Sequence, residues 1–165
     1  MTSSNHRPFR IPAAAALLLS AAVACSPTDV TAGAPVPTPP AEVAKYCEAL
    51  HKELPDKVIE DVGRTELSPG SPFTAGWGDP TIVLRCGIDR PEKVGDPTAH
   101  GMEVNGVSWV LDDRGDDGLR FITTYREAYV ELLVPASYRA DAGILVDFAK
   151  PIADTVPKSL ADPKF

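Results

Sequence analysis

Apolar and polar positions fall into blocks along this chain, and each block predicts an element. From Ala41 to Leu54, AEVAKYCEALHKEL places Val43, Tyr46, Leu50 and Leu54 on one face of a helix, with Cys47 beside them. Pro40 stands at the start, where a helix accepts proline, and Pro55 ends the run. Ile59 and Val62 extend the pattern by a short second turn, ahead of the Pro/Gly-rich stretch LSPGSPFTAGWGDP. Residues 81–87, TIVLRCG, have strand period. Ile82, Leu84 and Cys86 share one face, Val83 and Arg85 the other.

Asn105-Gly106 is a hairpin signal between GMEV and VSWVL. LRFITTY at 119–125 and AYVELLV at 128–134 predict two more strands joined by a tight turn near Arg126-Glu127. Ile144, Leu145, Phe148, Ile152 and Val156 recur at helical spacing, so a helix is expected from about Ala140 to Val156, kinked or split at Pro151. The expected fold is α+β: an antiparallel sheet of about four strands, with an N-terminal and a C-terminal helix packed on one face and one disulfide.

The first 40 residues follow other rules. MTSSNHRPFR is polar and carries Arg7 and Arg10, and residues 11–24, IPAAAALLLSAAVA, are free of charge. This is the n-region and h-region of a secretory signal. As a helix the apolar run spans about 21 Å, short of the roughly 30 Å of a bilayer's hydrocarbon core. Ala22-Val23-Ala24-Cys25 resembles a lipobox, in which the cysteine receives a diacylglycerol. The alternative is an ordinary Ala-x-Ala cleavage site that leaves Cys25 a free thiol on a secreted protein. Residues 26–40, SPTDVTAGAPVPTPP, are too poor in large apolar side chains to fold alone and read as an extended tether. The expected organisation is therefore a signal peptide at 1–24, lipid-attachment Cys25 and tether at 25–40, and a single α+β domain at 41–165.

Three cysteines in an exported chain leave one to be explained. Acylation of Cys25 explains it and leaves Cys47 and Cys86 to pair, stapling the first helix to the sheet. Such a bridge is worth about 4 kcal/mol in the chain-entropy model. Two buried free thiols are the alternative. An exported compartment favours the bridge.

Charge narrows the partners. The 165-residue chain has net charge −7, and removing a leader with two arginines and no acid leaves −9. No Lys/Arg cluster with interleaved aromatics is present, so nucleic acid is disfavoured. An apolar fraction of 44% and a charged fraction of 24% fit one ordinary globular domain.

Candidate chemistry is sparse. His51 and His100 have no neighbour at metal-ligand spacing and read as solvated. No Gly-x-Ser-x-Gly elbow is present, and no catalytic residue, metal or cofactor is assigned. Asp112 to Asp117 gathers four carboxylates, but Arg114 breaks the alternation of a calcium loop, and a solvated turn is the better reading. Trp77-Gly78-Asp79-Pro80 either lines a pocket or plugs the end of the core, the plug being favoured. Trp109 is read the same way. Tyr125, Arg126 and Tyr129 border a candidate groove, so Trp77, Asp79, Tyr125, Arg126 and Tyr129 form the candidate ligand or partner surface.

WGDPTIVLRCGI (77–88), VNGVSW (104–109), FITTYRE (121–127) and VELLVP (130–135) resemble the domain of unknown function 3515 family. Its members are small exported proteins and lipoproteins of high-GC Gram-positive bacteria. The resemblance covers about residues 46–156 and implies address and fold, with no catalytic residue to transfer. The expected role is a non-catalytic binding or accessory lipoprotein of the cell envelope, anchored on the extracytoplasmic face of the membrane through Cys25 and contacting an envelope protein. Two alternatives are a small-ligand carrier with a pocket near Trp77 and Trp109, and a wall hydrolase using the Asp79 or Asp112 region.

Overall fold

The computed structural model describes residue 1, residues 34–141 and residues 143–160. The expected signal peptide, Cys25 and the first part of the tether lie outside the described residues. The sheet has eight strands, so the expectation of about four is corrected, while the α+β class holds. The strands are β1 (Lys57–Val58), β2 (Val62–Thr65), β3 (Thr74–Trp77), β4 (Ile82–Cys86), β5 (His100–Val104), β6 (Val107–Asp113), β7 (Leu119–Thr124) and β8 (Val130–Val134). All neighbours pair antiparallel, in the order β1-β2-β3-β4-β8-β7-β6-β5.

The underestimate has a local cause. β1, β2 and β3 are two to four residues long, and VGRT and TAGW each contain a glycine, so neither alternates long enough to be seen. Ile59 and Val62, expected to continue a helix, instead turn the chain between β1 and begin β2. Ile59 and Glu60 sit at φ 47° and 63° in that turn. A β-branched residue is uncommon there. The Ile59 N–H donates to Asp147 Oδ2 on the C-terminal helix at 2.8 Å, which fixes the turn.

The first helix, α1, spans Ala41–Glu53, and the second, α2, spans Ile144–Thr155. Pro151 lies inside α2, which is not split there into two short helices. Both helices share a single apolar cluster with one face of the sheet. Val43, Cys47 and Leu50 meet Ile144, Phe148 and Ile152 over Trp77, Leu84, Trp109, Val130 and Leu132. Cys47 and Cys86 are bonded, with Cα atoms 5.5 Å apart, so α1 is covalently fixed to β4. No helix of the described residues is long and apolar enough to cross a membrane.

The other face of the central strands is covered as well. Ile88 and Val94, from the β4–β5 connection, pack on Ile122 and Tyr129. Residues 34–40 of the Pro-rich run lie against the domain. Pro37 is buried, and the Pro35 carbonyl accepts a hydrogen bond from Arg85 Nε at 2.9 Å. Glu131 of β8, 1% exposed, is satisfied by Arg85 of β4 and Arg120 of β7 on either side. A buried carboxylate needs such partners, because its desolvation is otherwise prohibitive.

Candidate ligand cleft

A cleft opens between the end of α1, β2, β3 and the loop at 66–73. It encloses about 860 Å³, within the range of small-molecule sites. Its floor is set by glycine. A side chain at Gly76 would stand 2.8 Å from Leu67 Cδ2 and 3.0 Å from the Thr65 carbonyl, so TAGW brings the loop close to the strand.

Arg64 forms one wall. It pairs with Trp77 across β2 and β3, and its guanidinium lies 4.6 Å from the centre of the indole. α1 ends with Leu54 in an extended conformation, which turns two carbonyls toward this arginine. Arg64 Nε donates to the Pro55 carbonyl at 3.1 Å and Nη2 to the Leu54 carbonyl at 3.3 Å. The Pro55 carbonyl also accepts from Trp77 Nε1 at 3.0 Å. Cation–π stacking and two carbonyl bonds therefore hold the guanidinium in one orientation.

His51 stands in the same cleft, and its Nδ1 is buried with no partner among the described residues. Burial, then the Arg64 charge, push the imidazole pKa below its ordinary value, so the ring is neutral at pH 7. Thr74, 4% exposed, also lines the cleft, and its Oγ1 is buried and unpaired among the described residues. Ser71 Oγ accepts from the Phe73 N–H at 3.1 Å. Glu66 completes the polar set. His51 makes no hydrogen bond to Ser71 or Thr74, so these three side chains form no nucleophile–base pair.

The surface expected from the sequence divides in two. Trp77 is fully buried, edge-on to Phe148 at 5.0 Å between ring centres, and Asp79 is exposed in the adjacent β3–β4 turn. Cys86 pairs with Val130 and Val83 with Leu133, so Tyr125, Arg126 and Tyr129 lie at the opposite end of these strands. Tyr125 is 59% exposed at φ 55°. Arg126 is buried and donates to the Val156 carbonyl at 2.7 Å and the Gly106 carbonyl at 2.9 Å. Tyr129 is buried under the β4–β5 connection. Trp77 and Trp109 both belong to the core cluster and do not line the cleft.

The acidic run does not converge. Asp113 pairs with Arg139 and accepts the Gly115 N–H, and these bonds lower its pKa, the Gly115 bond first. Among the described residues no three His, Cys, Asp or Glu side chains gather to hold a metal ion. The cleft residues His51, Arg64, Glu66, Ser71 and Thr74 are scattered over 24 positions with no motif spacing. Their only sequence signal is Gly76 beside Trp77.

No curated protein and no solved structure matches the chain. The family model described as "Protein of unknown function (DUF3515)" matches residues 9–160, and the chain belongs to that family.

Proposed function

We propose that this chain is an exported, lipid-anchored, non-catalytic binding protein of the cell envelope. A diacylglyceryl group on Cys25 holds it on the extracytoplasmic face of the membrane, and the Arg64 cleft receives its ligand. The observation that carries the address is the Cys47–Cys86 bond at the centre of the core. A structural disulfide forms and persists in oxidising compartments. The charge-free run before Cys25 supplies the export signal, and the family match includes that run.

The packing of 34–40 against the domain sets the reach of the anchor. Eight residues, 26–33, separate Cys25 from the docked segment. Fully extended they span about 25 Å, so the domain works close to the bilayer. Two acyl chains give stable membrane residence at about 0.8 kcal/mol per buried methylene.

Metabolic labelling with a palmitate analogue tests the anchor. The natural chain is expected in the membrane fraction, labelled and shortened by 24 residues. Cys25→Ser is expected to lose the label. An unlabelled chain with all three thiols reduced in the cytoplasm would refute the reading.

A further inference from the structure

The Arg64 wall narrows the class of ligand. Of the five guanidinium N–H groups, two are used on the Leu54 and Pro55 carbonyls. The three that remain, on Nη1 and Nη2, form the planar fork that matches the two oxygens of a carboxylate. Among the described residues no Asp or Glu lies within ion-pair distance of Arg64. The indole beneath and the carbonyls beside it have already fixed the side chain, so little further freedom is lost on binding.

The other walls set the rest of the specificity. The Asp56 charge acts on Arg64 from nearby, Glu66 also lines the cleft, and burial and Arg64 disfavour the cationic form of His51, so the cleft has no surplus positive charge. That balance suits a monoanion better than a dianion. Among the described residues the Ser71 hydroxyl accepts from Phe73 and donates to no partner, and Thr74 and His51 hold polar atoms with no bond. Such groups gain most when an occupant satisfies them.

We propose that the cleft binds a small monocarboxylate whose remaining polar groups are hydroxyls or amides, with Arg64 as the carboxylate anchor. This deepens the binding-protein reading above and rests on it.

Calorimetric titration of the full mature chain in detergent tests the assignment, with three probes. Glucuronate is the monocarboxylate, glucose its uncharged counterpart, and sulfate the dianion. Glucuronate is expected to bind, with glucose and sulfate at least about tenfold weaker. Arg64→Ala is expected to abolish glucuronate binding. Arg64→Lys keeps the charge but not the fork, and is expected to weaken binding at least about tenfold with unchanged circular dichroism, at a temperature well below a Tm that the lost carbonyl bond lowers. Glu66→Gln is expected to tighten it. Equal binding of glucose, tighter binding of sulfate, undiminished binding by Arg64→Lys, or no glucuronate binding at about 10 mM would each overturn the assignment. With Cys25 still labelled by palmitate, any of those results leaves the anchored reading standing.

Discussion

Gly87 and Pro39 touch so closely that the glycine has no room for a side chain. A Cβ at Gly87 would stand 2.6 Å from Pro39 Cβ and 3.3 Å from the Cys47 sulfur. Gly87 also has φ +80°, which L side chains rarely adopt. Gly87→Ala is therefore expected to lose about 1–3 kcal/mol and to loosen the docked segment. Thermal unfolding reads the first effect. Limited proteolysis reads the second, as new cleavage within 34–40; a variant with unchanged Tm and protection would contradict it.

The Cys47–Cys86 bond closes a separation of 39 residues between α1 and β4. Cys47→Ala/Cys86→Ala is expected to cost about 4 kcal/mol in denaturant unfolding, and reductant to lower the Tm of the natural chain but not of the variant.

Arg126 satisfies carbonyls of Val156 and Gly106, tying the end of α2 to the β5–β6 hairpin. Arg126→Ala leaves both acceptors without this donor, and a loss of about 2–4 kcal/mol is expected. Arg126→Lys is expected to recover less than half of it, since one ammonium lacks the fork that spans both carbonyls. Full rescue by lysine would show that charge alone matters.

Thr74→Val removes a buried hydroxyl that has no partner among the described residues. A gain of up to about 1 kcal/mol is expected, because the isosteric methyl keeps the packing. A lower Tm would mean that the hydroxyl is satisfied in the folded protein.

His51 gives the cleft a pH dependence. Its folded pKa lies below the ordinary 6.5, so the unfolded chain takes up this proton first as pH falls. Its contribution to stability is complete above about 6.5 and is lost as pH falls through that value toward the folded pKa. Arg64, the charge that acts on His51 in this cleft, stays protonated across this window. Stability measured from pH 7.5 to 5 is expected to fall more for the natural chain than for His51→Gln. Identical slopes would remove His51 from the account.

The longer elements were legible because each repeats its pattern several times. Val43, Cys47 and Leu50 mark α1, Ile82, Leu84 and Cys86 mark β4, and Asn105-Gly106 turns between β5 and β6 with φ 47° and 79°. The tight turn near Arg126 is in fact a five-residue connection, 125–129. There Tyr125 takes a positive φ and Arg126 turns inward, a reversal that alternation cannot signal. Strands β1 to β3 escaped because their order comes from neighbours: Gly76 admits Leu67, and Trp77 is held by Pro55 and Phe148. The cleft was illegible for the same reason. Arg64 gains its role only when α1, 13 residues long, ends beside β2 and offers two carbonyls.

The strand order has a consequence for how the chain becomes a molecule. β4 finds its second neighbour only in β8, since Cys86 pairs with Val130 and the chain between them builds the far half of the sheet first. Synthesis delivers the N-terminal half early, with one flank of β4 still bare. Such non-local pairing slows collapse to the native state, and an unmatched strand invites association between copies. Loss of the last 35 or so residues would therefore split the sheet at its middle rather than trim its edge.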